Sequence, residues 1–143
     1  MRYLGLDLGT KTLGVALTDK SNTISTPLKT IRFDFEDYDS VISELKDIIE
    51  NNNVGEIALG IPINMDGSKG FAAERSLKFK ELLEENFNIN VTLIDERLSS
   101  IEAHNILSNN GKKEKEHKKN VDAVAATIIL DTFLKRKVNL NNE

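Results

Sequence analysis

The chain has 143 residues, 39% of them hydrophobic, and a net charge of -4, which fits one globular domain able to bury its own core and excludes a disordered chain. It has no cysteine, which excludes a disulfide framework, a thiol nucleophile and a Cys-ligated zinc site. No apolar stretch approaches the ~18 residues of a membrane span, and the sequence enters a strand-like run at Met1 with no basic and apolar leader, so a cytoplasmic protein with no membrane partner is expected.

In Tyr3-Leu4-Gly5-Leu6-Asp7-Leu8 the residues alternate with period two, so Leu4, Leu6 and Leu8 share one face of a first strand and Asp7 takes the other. Gly9 and Thr10-Lys11-Thr12 make a turn into a second strand, Leu13–Thr18. A third strand fits between Thr23 and Ile31, where Pro27 predicts an edge or an interruption. Val41, Leu45, Ile48 and Ile49 recur at helical spacing before Asn51–Asn53 and Gly55. The almost wholly apolar Ile57-Ala58-Leu59-Gly60-Ile61 fits a central strand covered on both faces. Pro62 ends it, and Asn64-Met65-Asp66-Gly67 is turn chemistry.

Ala72, Ser76, Phe79, Leu83 and Phe87 form the stripe of a second helix, and Asn88–Asp95 returns as a strand. Ser99 and Glu102 have the spacing of a capping box for a short helix through Leu107, stopped by Asn109-Asn110-Gly111. After the charged Lys112–Lys119, a last helix is expected from about Val121 to Lys135. The order predicts an α/β fold: a mixed five-stranded sheet flanked by helices, with antiparallel strands 1–3 and parallel later strands joined by right-handed crossovers.

Three acidic positions attract chemistry. Asp7 stands mid-strand between glycines, where an acid is disfavoured by propensity, costly to bury alone and open to close approach by a ligand. It reads as a metal ligand or as an acid on a solvated strand face. Asp95-Glu96-Arg97 closes an apolar strand just before a capped helix, the usual place for a site in an α/β fold. Two acids beside an arginine could combine metal binding with phosphate contact, or form an ion-paired loop. Asp122 follows Asn120, which would cap the last helix, and the acid would favour the positive end of its dipole. Yet the small Ala123, Ala125 and Ala126 would let this helix lie close to the sheet and bring Asp122 near the other acids.

Hard cations such as Mg²⁺ take oxygen ligands and use a few carboxylates plus substrate phosphates. Two such ions can activate water and stabilise the leaving oxygen in phosphodiester hydrolysis. The Lys112–Lys119 run carries five lysines against two glutamates. It reads either as a flexible flap that binds phosphate, with Lys112 and Lys113 as substrate contacts, or as a solvated loop.

These segments in this order resemble the RuvX (YqgF) family of Holliday-junction-resolvase-like proteins and pre-16S rRNA nucleases. The resemblance rests on Gly5-Leu6-Asp7-Leu8-Gly9-Thr10-Lys11-Thr12-Leu13-Gly14-Val15-Ala16 and on Gly60-Ile61-Pro62-Ile63-Asn64-Met65-Asp66-Gly67-Ser68. It continues through Asp95-Glu96-Arg97-Leu98-Ser99-Ser100 to Val121-Asp122-Ala123-Val124-Ala125-Ala126-Thr127-Ile128-Ile129-Leu130. It implies an RNase H-like domain over residues 1–143, with Asp7, Glu96 and Asp122 as catalytic acids that share Mg²⁺ or Mn²⁺ with Asp95. Thr10, Lys11, Asn64 and Arg97 would contact substrate. The implied reaction is metal-dependent cleavage of structured nucleic acid, a pre-rRNA more than a DNA junction, by a monomer or homodimer.

Two other readings stay open. Asp7-Leu8-Gly9-Thr10 followed by Gly14-Val15-Ala16 also resembles the first phosphate loop of the actin, Hsp70 and sugar-kinase superfamily, although 143 residues cannot hold both lobes of such a protein. A non-catalytic nucleic-acid-binding module would keep the same acids for structure or for a passive metal.

Overall fold

The computed structural model describes residues 1–63, 69–95 and 114–141. Five strands, β1 (Arg2–Leu8), β2 (Thr12–Thr18), β3 (Ser25–Arg32), β4 (Val54–Ile61) and β5 (Asn90–Asp95), form one sheet in the order β3-β2-β1-β4-β5. β1–β2 and β2–β3 pair antiparallel; β1–β4 and β4–β5 pair parallel. Both halves of the expected sheet are therefore present. Helices α1 (Tyr38–Asn51), α2 (Phe71–Phe87) and α3 (Glu114–Asn141) complete the described elements.

Strand alternation divides the core into two layers. Leu4, Leu6, Val15, Ile57 and Leu59 face one way, where they meet Val41, Leu45, Phe79 and Leu83 of α1 and α2. Ala16, Ala58 and Ile94 face the other way, against Ala126, Ile129, Leu130 and Phe133 of α3. β4 is thus covered on both faces, as its apolar run predicts. Burying each large side chain in these layers stabilises the fold by about 1.5–3 kcal/mol.

Pro27 does what an imino acid requires of its strand. β3 is an edge, and its register against β2 shifts where Val15 pairs with Lys29 but Ala16 pairs with Pro27. The bulge leaves no ladder donor wanting where Pro has none to give.

Two details differ from the sequence reading. On α2 the buried stripe is Ala73, Ser76, Phe79 and Leu83, while Ala72 is exposed. More consequential is α3, which begins at Glu114 rather than near Val121. Residues 114–119 of the expected flap are helical, because Lys and Glu are good helix formers whose charge alone does not mark a loop. Position 120 then lies inside the helix rather than at its start, so Asp122 is two turns beyond the N-terminus and outside the reach of its dipole. The helix expected over Ser99–Leu107 lies outside the described residues.

Candidate active site

The position of α3 sets the site, and two glycines set α3. A Cβ on Gly5 would stand 2.7 Å from the Ala126 carbonyl oxygen and 2.8 Å from Leu130 Cβ. A Cβ on Gly14 would collide with the backbone of Asp122 and come within 3.1 Å of the Ala123 nitrogen. Both glycines lie on the α3 face, and their missing side chains let the helix rest directly on β1 and β2. Ala123 and Ala126 are buried in that contact, so the small residues have the packing role their size suggests.

The remainder of α3 is pinned by polar and aromatic contacts. Ser25 Oγ donates to Asp131 and, at 3.3 Å, to the Thr127 carbonyl. Lys137 Nζ pairs with Glu56 Oε1 at 2.7 Å. It also lies 5.6 Å from the Tyr3 ring centre and 5.3 Å from that of Phe133, two rings that meet edge to face. At such partly exposed positions each contact is worth only about 0.5–1 kcal/mol, but together they fix the helix in register.

This register sets the backbone of one predicted acid, Asp122, over the strand neighbour of another, Asp7. Asp7 on β1 pairs across the ladder with Gly14 on β2, and Gly14 is the residue covered by the Asp122 backbone. Asp7 shares the α3 face with Gly5 and Gly14, and both Asp7 and Asp122 are half-buried. Both residues sit at one corner of the fold, where the C-terminal end of β1 meets α3.

Asp95 ends β5, opposite Ile61 of β4. Alternation gives it to the face of Val91 and Leu93, which pack with α1 and α2, whereas Ile94 packs with α3. Asp95 and Asp7 therefore share an end of the sheet but take opposite faces. Thr10 and Lys11 are exposed in the β1–β2 turn at that same end. This turn is closed by Gly9 N donating to the Thr12 carbonyl at 2.7 Å, and the Lys11 carbonyl accepts from Phe33 N at 3.0 Å. Glu96, Arg97, Asn64, Lys112 and Lys113 lie outside the described residues.

Chemically, carboxylates turned into this corner would be hard oxygen donors next to backbone that lacks side chains. That suits Mg²⁺ or Mn²⁺, which commonly take one or two carboxylates and complete their shell with water and phosphate. Among the described residues no group of three acidic, His or Cys side chains closes on one point; the third predicted acid, Glu96, is not among them. The residue that sequence reasoning passed over is Gly14. Its signal was there, a glycine inside a strand that otherwise reads Leu-Val-Ala-Leu, the mark of close backbone approach.

Among the described residues no helix is long and apolar enough to cross a membrane. A family model described as "RuvX: Holliday junction resolvase" matches residues 1–136. A protein of Geobacillus sp. (strain WCH70) named "Putative pre-16S rRNA nuclease" is 42% identical over 137 residues, 96% of this chain and 99% of that one. Its namesake in Bacillus subtilis (strain 168) is 40% identical over 134 residues, 94% of this chain and 97% of that one. Among solved structures, T. thermophilus RuvC in complex with a Holliday junction substrate superposes with a TM-score of 0.62 at 10% identity, covering 96% of both chains. The fowlpox virus Holliday junction resolvase gives 0.54 at 12% identity, covering 96% of this chain and 99% of that one. At such low identities these likenesses speak for the fold, which is the RNase H-like one.

Proposed function

The chain belongs to the RuvX family of Holliday junction resolvases, and from this premise we propose that it is a divalent-metal-dependent nuclease acting as one RNase H-like domain over residues 1–143. The single observation that carries the reading is the Gly14 contact, which puts Asp122 of α3 over the ladder position opposite Asp7. Two positions far apart in sequence thereby have their backbones at one corner of the fold, which supports a shared role for their acids.

In this proposal Asp7, Asp122 and Glu96 hold Mg²⁺ or Mn²⁺, and Glu96 follows directly on the last residue of β5. When bound, the metal supplies the positive charge that activates water and stabilises the leaving oxygen of a phosphodiester. Asp7 is held rigidly by a central strand, and Asp122 by a helix pinned at several points. That pre-organises both carboxylates and spares the site the cost of gathering like charges at the moment of reaction. Thr10 and Lys11, exposed in the turn after β1, would receive backbone phosphates, with Arg97 and Asn64 as further contacts.

The substrate we propose is structured RNA, the 5′ region of the small-subunit rRNA precursor, processed in the cytoplasm. The names of the relatives support it. The family's own description favours a second substrate, the four-way DNA junction, and two symmetric cuts in that substrate would call for a two-fold homodimer.

The test is cleavage of a precursor 16S rRNA fragment and of a four-way junction, in Mg²⁺, Mn²⁺ or EDTA, by wild type, Asp7→Asn and Asp122→Asn. Metal-dependent cutting that falls about 100-fold or more in both variants is the expected result, and the faster substrate decides between RNA and junction. Binding of both substrates without cutting under any metal would sink the nuclease and leave a non-catalytic binding module.

A further inference from the structure

A groove of about 580 Å³ lies on the α1/α2 side of the sheet, at the same end as Asp7. Its apolar walls are Phe35, from the β3–α1 connection, and Phe71, the first residue of α2. These two rings are 58% and 87% exposed, unusual for phenylalanine. Tyr38 lines it as well and is held from behind by Phe33 and Phe79, with ring centres 5.8 and 5.5 Å away. Arg75 and Lys78 follow Phe71 on the same stripe of α2 and also line the groove.

We propose that this groove binds a single-stranded nucleic-acid segment flanking the structured substrate, with a base stacked on Phe71 and Phe35 and phosphates on Arg75 and Lys78. The inference rests on the nuclease reading for its substrate class, but its chemistry is independent of the acids. Flat, exposed rings with a guanidinium and an ammonium alongside are the recurring elements of single-strand sites, because every base has a face to stack and a phosphate beside it. Glu36 and Glu74 also line the groove, so its two cations are offset. A near-neutral groove suits a base with one or two phosphates and does not suit a duplex backbone. Location supports the same occupant. The Lys11 carbonyl bonds Phe33 N, two residues before Phe35, which ties the turn after Asp7 to the wall of the groove. A strand leaving the corner beside Asp7 would pass around this end of the sheet to reach Phe71.

The experiment measures binding of an RNA hairpin with and without a six-nucleotide single-stranded flank by fluorescence anisotropy in EDTA. A 2-aminopurine in the flank reports stacking, and cleavage in Mg²⁺ or Mn²⁺ is measured alongside. For wild type the flank should strengthen binding about tenfold, as one well-stacked base does, and the 2-aminopurine should be quenched. Phe71→Ala should abolish both effects, and Phe71→Tyr should restore them. The loss should be equal at about 50 and 200 mM salt, since stacking releases no counterions. A flank effect that survives Phe71→Ala overturns the groove, and cleavage retained in that case leaves the nuclease standing. A flank effect lost in Phe71→Ala with no cleavage in any metal supports the groove and fails the nuclease. A dimer in sedimentation that Phe71→Ala disperses would give the groove to a second copy and overturn the proposal.

Discussion

The backbone of Asp122 occupies the space that a Cβ on Gly14 would need. The α3 backbone at Asp122 lies on the strand position paired with Asp7 because the residue there has no side chain. Alanine at this position would gain about 0.4–1 kcal/mol by restricting the unfolded chain. Against that stands a clash with backbone, which cannot rotate away as a flexible side chain would. Overpacking of this kind costs about 1–3 kcal/mol, so the clash wins. Gly14→Ala should lower the urea midpoint and, by lifting α3, separate Asp122 from Asp7 and depress nuclease activity more than stability. A variant with unchanged midpoint and activity would show that the helix does not rest on this residue.

The sequence carries much of this arrangement, and what it omits has a physical cause. Period-two alternation assigns Leu4, Leu6 and Leu8 to one layer and Asp7 to the other, because in a strand the face follows from counting. The double-sided burial of Ile57–Ile61 and the edge position of Pro27 are read equally directly, since each depends on the residue's own chemistry. The placing of the Asp122 backbone over the strand partner of Asp7 is different. It depends on the register of α3 over the sheet, which is decided jointly by Gly5, Gly14, Ser25 and Glu56, residues scattered through the first half of the chain. The start of α3 misleads because Lys and Glu suit a solvated helix as well as a solvated loop. Asp95 looks in sequence like a partner for Asp7, yet alternation along β5 gives it the opposite face, and only the register shows this.

The end of the sheet remote from Asp7 makes its own prediction about pH. Asp19 accepts bonds from the backbone nitrogens of Thr23 at 2.8 Å and Ile24 at 3.2 Å, and from the hydroxyls of Ser21 and Thr23. The bond from Thr23 N leads in holding its carboxyl down at about 2, below the ordinary 3.8. A depressed folded-state value means that the stabilisation is complete above pH 3.8 and is lost as pH falls through about 2. Asp19→Asn should therefore show its full destabilisation in urea midpoints near neutral pH, with the gap to wild type closing between pH 3.8 and 2. A gap that stays constant over that range would mean the ionised carboxylate contributes nothing through these bonds.

Metal binding can be tested without any cleavage. An ion that binds the folded protein and not the unfolded chain raises stability by mass action, about 2.7 kcal/mol at a hundred times its dissociation constant. For a domain of this size that is a rise in Tm of roughly 5–15 °C. In the proposed site either substitution would remove a like charge, so in EDTA Asp7→Asn and Asp122→Asn should melt at or above the wild-type temperature. On adding Mn²⁺ the wild type should climb with concentration while both variants stay nearly flat. Asp47→Asn, an exposed change on α1 away from the corner, should climb with the wild type. Equal climbs in all four proteins would place the metal elsewhere. A large loss of stability in EDTA for both corner variants would give these acids a structural role instead.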